Sequence, residues 1–287
     1  MIYSLITVMA GNTHTKAVGW HDDGLQGEVV AWRTHDAALY HEDLRLSRAA
    51  GSTPYAPLEK MADAETRFVL AGVTPAYQDE LKRWLEASGY AVLRFRAELP
   101  APIEIIPQPA EKVGDDRIAG ALGALARDPL TPAVVIDSGT ALTINAVSPG
   151  KPDSSPSPSI GKFEGGLIIP GQDLMLAALK QFTQRLPRLD HVPLPATLDA
   201  ATAIGRNTDE AMTRGAWHAY VYGAISGALA QRQMLGQTAR ILLTGGGAEE
   251  LLPHLVKAFE PDANWQLELH AELVHLGLYA AYRAANP

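Results

Sequence analysis

The sequence predicts an α/β protein of two domains, and three observations support this. The chain has 287 residues, 47% of them hydrophobic, which is enough for two cores at roughly 150 residues per domain. A strand, an amphipathic helix and a second strand follow one another within residues 67–95, the pattern of a β-α-β unit. A strand–turn–strand pattern with a small polar turn occurs twice, as VMAGNTHTKAV and VIDSGTALTINAV. This pair indicates a distant duplication, and two ordinary hairpins are the alternative.

The first part of the chain is predicted to be rich in strands. Short β-branched and apolar runs predict strands, whereas apolar residues at a spacing of three and four predict helices. The predicted strands are 4–9, 16–20, 28–32, 67–73 and 91–95, and the predicted helices are 76–88 and a polar segment around 40–50. The proline-rich stretch 98–112 excludes a helix and is predicted to be a connector that could line a cleft.

The same alternation restarts after the connector. The predicted elements are a helix at 116–127, strands at 133–139 and 140–147, a surface hairpin or loop at 149–162, a strand over GGLIIPG, a helix from about 172, a long helix at 208–233, a strand and helix over RILLTGGGAEELLPHL, a strand over WQLELH and a final helix near 271–284.

Composition excludes several classes of protein. The formal charge is −8 with acidic and basic residues interspersed, so the chain lacks the basic stripe of a nucleic-acid-binding protein. There are no cysteines, which removes disulfides, thiol catalysis and cysteine-based zinc sites and fits a reducing compartment. The N-terminus has no basic leader, and no apolar run reaches the ~18 residues that span a bilayer. We therefore expect a cytoplasmic protein with no membrane partner.

The segment DSGTALT, at residues 137–143, has the strongest chemical character. Gly139 permits a tight turn in which backbone N–H groups approach an anion, and the Thr140 hydroxyl can bond to a phosphate oxygen. Asp137 repels phosphate, so its expected task is to hold a cation or an ordered water. The alternative is an Asx-type turn in which the Asp137 side chain bonds to its own backbone.

The earlier turn, GNT at residues 11–13, has the same glycine and hydroxyl chemistry but no acid. Met9 occupies the position at which Asp137 stands in the second copy. Lys16, on the outgoing strand, could reach a phosphate, although a single lysine is more often solvated. Alone, this turn is a weak indication of phosphate binding.

The segment VGDDR, at residues 113–117, places two acids and an arginine at a helix start. The first helical N–H groups favour an anion there, and Arg117 can bind a carboxylate or phosphate with two parallel bonds. One aspartate could accept a proton from a hydroxyl nucleophile. The alternative is simple capping, in which Asp115 or Asp116 complements the helix dipole.

Three further segments are ambiguous. FEGGLIIPG (163–171) could let a flat ring or a neighbouring backbone come close, or could be a bend. TGGGAEE (244–250) suits the ribose or base side of a nucleotide, although a triple glycine is a weak signal. GRNTDEAMTRG (205–215) reads as a helix start capped by Asn207 or Thr208, and Thr208 could also face a ligand. The nine histidines show no metal-ligand spacing, and neither a G-x-S-x-G elbow nor a G-x-x-x-x-G-K-[ST] loop occurs.

In order and spacing, most of the chain resembles the type III pantothenate kinases, through the segments GNT, VGDDR, DSGTALT, GGLIIPG, LPR, IGRNTDEAMTRG and LTGGG. The resemblance implies two actin-like (ribonuclease H-like) α/β domains with a ligand cleft between them, divided at 1–112 and 113–287. It implies ATP-dependent phosphorylation of pantothenate to 4′-phosphopantothenate, the first step towards coenzyme A. The implied cofactors are Mg²⁺ and a monovalent cation, K⁺ or NH₄⁺, and the implied assembly is a homodimer through the second domain.

The resemblance also implies roles for individual residues. Asp116 would be the base that deprotonates the substrate hydroxyl, and Asp137 would hold the monovalent cation. The residues implied to bind pantothenate are Gly114, Asp115, Asp116, Arg117 and Thr208, and those implied to bind ATP are Met9, Ala10, Gly11, Asn12, Thr13, Lys16, Gly139 and Thr140.

Two departures from the family pattern matter. Met9 stands where the family has the aspartate of D-x-G-N-T, and a methionine thioether is a poor ligand for a hard cation. Asp115 is a candidate replacement for that acid. A tyrosine common before G-x-D-R is also missing, with Pro107 and Pro109 in the region. The first departure leaves open a weakened or inactive relative that acts as a ligand-binding or regulatory protein, and the second leaves open a kinase for another small hydroxy acid.

Overall fold

The computed structural model describes residues 2–34, 55–150, 159–260 and 265–286. The predicted helix around 40–50 and most of the predicted loop at 149–162 lie outside these ranges. The chain divides into two compact units, of which unit 1 comprises Met1–Pro102, Pro109–Ala126 and Leu273–Pro287, and unit 2 comprises Ile103–Gln108 and Arg127–Glu272. Each unit is built around one β-sheet, which confirms the predicted mixed α/β class.

The described strands are β1 (Leu5–Ala10), β2 (His14–Trp20), β3 (Gln26–Arg33), β4 (Arg67–Gly72), β5 (Ala91–Arg94), β6 (Glu104–Ile105), β7 (Ala133–Ser138), β8 (Ala141–Pro149), β9 (Gly161–Pro170), β10 (Arg240–Thr244) and β11 (Leu267–Leu269). The described helices are α1 (Ala56–Glu59), α2 (Pro75–Ala87), α3 (Asp115–Arg127), α4 (Gln172–Phe182), α5 (Thr208–Leu235), α6 (Ala248–Phe259) and α7 (Leu273–Ala285). Within these residues, no helix is both long enough and apolar enough to cross a membrane.

The two sheets have the same topology. In unit 1 the strand order is β3-β2-β1-β4-β5, and in unit 2 it is β9-β8-β7-β10-β11, with β6 added beside β9. In each sheet the first strand pairs antiparallel with the second and parallel with the fourth. The central strands β1 and β7 are buried almost throughout, which explains their continuous apolar sequences. The predicted duplication would produce this repeated arrangement.

Two glycines allow α3 and α7 to pack backbone against backbone in unit 1. A Cβ at Gly277 would lie 1.8 Å from the Ala119 carbonyl oxygen, and one at Gly123 would lie 2.1 Å from the Leu273 carbonyl oxygen. Because this contact joins α3 to the C-terminal helix, and α7 also packs on β1, both helices belong to unit 1. The compact units therefore differ from the predicted division at 1–112 and 113–287.

Glycine also explains the FEGG segment in unit 2. A Cβ at Gly166 would lie 2.0 Å from the Ile144 carbonyl oxygen on β8. The glycine therefore allows the backbone of the neighbouring strand to come close, which is one of the alternatives that the sequence predicts for this segment. The pairing of β8 with β9 shifts register between Ala146 and Val147, beside Gly165, whose φ is +120°. The predicted connector at 98–112 contains β6 and a short 3₁₀ turn, Ala110–Lys112.

Candidate active site

The first polar turn joins β1 to β2 in unit 1. The Gly11 N–H donates to the His14 carbonyl oxygen at 3.1 Å, which closes the turn. A Cβ at Gly11 would lie 2.8 Å from that oxygen, so a glycine is required here. Asn12 and Thr13 are exposed at the tip. The turn therefore presents an amide and a hydroxyl side chain, and its glycine shapes the backbone.

Met9 lies next to this turn and is half-buried. It pairs directly with Lys16 across the antiparallel strands and with Ala71 across the parallel ones, and directly opposite side chains share one face of a sheet. The acid of the second turn therefore has a thioether as its counterpart here, with a lysine beside it. This pair suits a phosphate more than a divalent cation.

A buried polar network lies beneath the first turn. The Thr7 hydroxyl bonds to His275 Nδ1 at 3.0 Å and accepts the indole N–H of Trp20 at 2.9 Å. Burial, together with the positive charge of Lys16, lowers the pKa of His275 to about 3. The neutral imidazole thus ties α7 to the strand that leads into the turn.

The VGDDR segment begins α3, and Asp116 folds back over Gly114. A Cβ at Gly114 would lie 2.5 Å from Asp116 Oδ1, and the Arg117 N–H donates to the same oxygen at 2.8 Å. Burial raises the pKa of Asp116 above its ordinary value, while the hydrogen bond and charge of Arg117 act in the opposite direction. A desolvated carboxylate of this kind is suited to accept a proton.

Asp115 points elsewhere. Its Oδ2 accepts the Gly72 N–H at 3.4 Å, and its Oδ1 lies 3.3 Å from Arg96 Nη1. The next N–H along, that of Val73, donates to Ala10 on β1. Because successive N–H groups of a strand point to opposite sides, the Gly72 N–H faces β5. The Asp115 carboxylate therefore lies on the β5 side of β4, away from Met9, which argues against its replacing the missing acid.

The second polar turn joins β7 to β8 in unit 2. The Gly139 N–H donates to the Ala141 carbonyl oxygen at 3.2 Å, and the Gly171 N–H donates to the Thr140 carbonyl oxygen at 3.2 Å. Asp137 is half-buried, whereas Gly139 and Thr140 are exposed. The Gly139 N–H closes the turn, as that of Gly11 does in the first.

The TGGG loop packs against the second turn. Gly245 has a φ of +94°, and a Cβ there would lie 2.4 Å from Asp137 Oδ1. The Gly247 N–H donates to the Ser138 carbonyl oxygen at 2.8 Å, and the Ser138 hydroxyl bonds to the Tyr220 hydroxyl of α5 at 2.6 Å. Burial raises the pKa of Tyr220 to about 12. These contacts fix Ser138, the neighbour of Asp137, and Gly245 lies directly against the Asp137 carboxylate.

The long helix α5 begins as predicted. The Glu210 N–H donates to the Asn207 side chain at 2.9 Å, and the Arg206 N–H donates to the Glu210 carboxylate at 3.0 Å. Asn207 is therefore the cap, and the Glu210 carboxylate reaches back to the residue before it. Thr208, the first helical residue, is exposed.

Cation binding is restricted by the available donors. Among the described residues, no group of three or more histidine, aspartate or glutamate side chains could hold a metal ion. Asp137 offers one carboxylate, and the missing side chain of Gly245 leaves space beside its Oδ1. A single carboxylate suits a monovalent cation, or an Mg²⁺ ion whose other ligands are phosphate and water.

Sequence reasoning missed three residues that support these groups: Arg96, Ser138 and Tyr220. Ser138 lies inside a recognised motif, and its position at the end of a strand was the one available signal. Arg96 and Tyr220 contact the motifs from distant positions in the sequence, and no local pattern marks them.

The sequence profile of type III pantothenate kinases matches residues 5–231. The type III pantothenate kinase of Herminiimonas arsenicoxydans is 32% identical over 280 residues, which cover 94% of this chain and 98% of that protein. A type III pantothenate kinase of Thermus thermophilus is 31% identical over 186 residues, covering 64% of this chain and 67% of that protein.

Two solved structures share the fold. A Sinorhizobium meliloti protein described as a 2-dehydro-3-deoxygalactonokinase has a TM-score of 0.56 at 15% identity and covers 99% of both chains. A Campylobacter jejuni protein described as a Baf family transcriptional activator has a TM-score of 0.52 at 16% identity and covers 98% of both chains. These likenesses confirm the predicted actin-like α/β fold.

Proposed function

The chain belongs to the type III pantothenate kinase family, and we propose that it uses ATP to phosphorylate pantothenate to 4′-phosphopantothenate, the first step of coenzyme A biosynthesis. The observation that carries this proposal for the chain's own residues is the Asp116 carboxylate. It is half-buried at the start of α3, lies over Gly114 and adjoins Arg117. A base and a cationic anchor are thus available together in unit 1.

Asp116 accepts the proton of the pantothenate hydroxyl as the hydroxyl oxygen attacks the γ-phosphorus of ATP. The bond between the γ-phosphorus and the β,γ-bridging oxygen breaks, and ADP leaves with the bridging oxygen. Because burial raises the pKa of Asp116, the carboxylate holds the proton more readily than an exposed aspartate does. Arg117 orients the pantothenate carboxylate through charge-assisted hydrogen bonds, and Thr208 supplies a further hydroxyl contact.

The two polar turns bind the phosphates of ATP with exposed hydrogen-bonding side chains. Asn12 and Thr13 serve this role in the first turn, and Thr140 does so in the second. Lys16 adds positive charge on the face of Met9. The phosphates of ATP would hold Mg²⁺, which would supply neutralisation of the charge that develops during transfer. Asp137 would hold the monovalent cation, K⁺ or NH₄⁺. The proposal includes a cytoplasmic location, because the reaction consumes ATP.

The direct test is phosphorylation of pantothenate by the purified protein with ATP, Mg²⁺ and either K⁺ or NH₄⁺, with the product identified by mass spectrometry. We expect turnover in the wild type and a loss of about 10³-fold in Asp116→Asn, the range for removal of a general base. Glu111→Gln, an exposed acid just before the segment, is the matched control and should retain activity.

Other outcomes would redirect the assignment. Wild-type protein that binds ATP and pantothenate without turnover, whatever the cation, would support the weakened relative that Met9 suggests. Turnover of a different small hydroxy acid in preference to pantothenate would support the alternative suggested by the missing tyrosine.

We propose a homodimer formed through unit 2. Strand β9 and helices α4 and α5 pack on one another and expose several large apolar side chains, an arrangement typical of an interaction surface. These side chains are Leu167, Ile168, Leu174, Leu179, Phe182 and Leu229. Phe182, the last residue of α4, is 80% exposed, and a second copy of the chain is the occupant that the family implies.

Sedimentation velocity tests the dimer. Phe182→Asp should shift the protein from dimer to monomer, because it places a charge in an apolar interface. Leu130→Asp is the matched control, since Leu130 is 82% exposed but lies between α3 and β7, outside the surface. A monomeric wild type, or equal dissociation of both variants, would contradict the proposed interface.

A further inference from the structure

We infer that Arg96 is a positioning residue for catalysis, which holds the backbone leading into Asp116 and Arg117 against the sheet of unit 1. The inference rests on the proposed function, since it assigns Asp116 as the base. It concerns a residue outside every motif of the sequence and depends on the backbone conformation of Arg96, its contacts and the place of its acceptors.

The backbone conformation of Arg96 is unusual. Its φ is +63°, and among the described residues no other non-glycine residue has a positive φ. Its N–H donates to the Leu99 carbonyl oxygen at 2.7 Å, which closes the turn after β5. A left-handed arginine is disfavoured and persists where surrounding contacts determine it; such residues concentrate at functional sites.

The side chain of Arg96 contacts three acceptors in one segment. Its guanidinium donates to the carbonyl oxygens of Ala110 and Val113 and lies 3.3 Å from Asp115 Oδ1. The side chain is only 16% exposed. A planar guanidinium with several fixed donors can hold three acceptors at once, which a lysine ammonium cannot do with the same geometry.

The acceptors lie immediately before the base. Val113 and Asp115 flank Gly114, and a Cβ at Gly114 would collide with Asp116 Oδ1, so the direction of the carboxylate depends on this short stretch of backbone. On its other side, Asp115 accepts the Gly72 N–H of β4. The stretch is therefore fixed between Arg96 after β5 and Gly72 at the end of β4.

Arg94 provides a matched comparison within the chain. It lies two positions earlier and forms an ion pair with Asp79 at 2.6 Å. That pair is more exposed, at 30% and 53% for the two side chains, than the Arg96–Asp115 pair, at 16% and 18%. Asp79 belongs to α2, so the Arg94 ion pair does not involve the residues before Asp116.

The test compares Arg96→Gly with Arg94→Ala in the full-length protein. Glycine adopts a positive φ without strain, so Arg96→Gly removes the side chain while the backbone turn is retained. We expect kcat/KM for pantothenate to fall about 100-fold, the scale of a small misplacement of a reacting group. The KM for ATP and the melting temperature should change little. Guanidinium ion, added below denaturing concentrations, should restore part of the pantothenate rate in Arg96→Gly alone.

A readout independent of turnover separates this inference from the proposed function. Amide hydrogen exchange of residues 113–118 should accelerate in Arg96→Gly and remain unchanged in Arg94→Ala, whether or not the wild type phosphorylates pantothenate. Unchanged exchange there would overturn the inference. A uniform fall in pantothenate kinetics, ATP kinetics and melting temperature, without rescue by guanidinium, would also overturn it, because that is the behaviour of a purely structural residue.

Discussion

The two polar turns share a topology but are supported in different ways. The first, at Gly11–Thr13, is closed by its own backbone and has Met9 and Lys16 at its base, above the buried pair of Thr7 and His275. The second has Asp137 at its base and is packed by the glycine loop and by Tyr220. Both turns have contacts from outside their hairpins, since the Thr34 N–H donates to the Thr13 carbonyl oxygen of the first turn at 2.9 Å. In the second turn the outside support lies beside the acid, at Gly245.

This difference separates two tasks of a phosphotransferase. In the proposed mechanism, the first turn supplies hydrogen-bonding side chains and the positive charge of Lys16, while the second adds an anionic ligand for a cation. The cation chemistry therefore depends on unit 2, and the base, Asp116, belongs to unit 1. The loss of an acid at position 9 can be tolerated when the phosphates themselves bring the divalent ion.

Among the variants that test the difference between the two turns, the largest expected effect comes from Gly245→Ala. The new Cβ would lie 2.4 Å from Asp137 Oδ1 at a residue whose φ is +94°, so both the acid and the loop must shift. We expect about 100-fold lower turnover, or about 3 kcal/mol, and a raised K⁺ requirement in steady-state assays.

Gly236→Ala is the control for Gly245→Ala. Gly236 has a φ of +107° but no heavy atom within 4 Å of the added Cβ, so it tests backbone strain alone. An equal loss of activity in the two variants would show that contact with Asp137 has no special importance.

The sequence predicts features that depend on neighbouring residues, and it does not predict features that depend on residues far apart in the chain. Residues 67–73 were predicted as a strand, and β4 is Arg67–Gly72, because its apolar run is a local signal. The close packing of Gly277 on Ala119 depends on residues far apart in the chain. It joins α3 and α7 within one compact unit, which no local pattern in the sequence indicates. Ser138 and Tyr220 are 82 residues apart, and neither residue has a pattern that indicates the other.

A second prediction uses a fall in pH to distinguish the two turns. The folded pKa of His275, about 3, lies below its ordinary value of 6.5, so the unfolded chain binds the proton first. The contribution of His275 is complete above pH 6.5 and falls by roughly 1.4 kcal/mol per pH unit towards pH 3. Tyr220, with a pKa of about 12, does not titrate in this range. Amide protection should therefore fall in β1 and β2 between about pH 6.5 and 5, by roughly 2 kcal/mol, and not in β7 and β8.

The variant His275→Gln isolates this effect. The raised pKa values of Asp115 and Asp116 act in the opposite direction, because their folded forms take up protons more readily as the pH falls. Those carboxylates remain in His275→Gln, which should lose the acid-dependent opening of β1 even if it is less stable overall. An unchanged acid dependence in this variant would assign the titration to another group.

A third prediction restores the acid at the first turn. Met9→Asp should raise turnover up to about tenfold at low Mg²⁺, equivalent to about 1.4 kcal/mol, because a carboxylate is a far better ligand for Mg²⁺ than a thioether. Met9→Asn introduces a side chain of the same shape as aspartate but without its charge, and this variant should show no gain in turnover. The turnover of both variants is measured as Mg²⁺ is titrated at a fixed ATP concentration. An equal gain in turnover in the two variants would show that the shape of the new side chain, and not its charge, causes the gain.

The smallest expected effect tests the support of the second turn from α5. Tyr220→Phe removes the hydroxyl that bonds to Ser138 at 2.6 Å in a buried environment, and the loss of such a bond costs about 1 kcal/mol. Tyr222→Phe is the control, because Tyr222 lies on the same helix and is 54% exposed. We expect KM for ATP to rise about fivefold in Tyr220→Phe and to stay constant in Tyr222→Phe, with KM for pantothenate unchanged in both. A parallel rise in both KM values would mean that the Tyr220 hydroxyl supports unit 2 as a whole, and the difference between the turns would then lie in Asp137 and Gly245 alone.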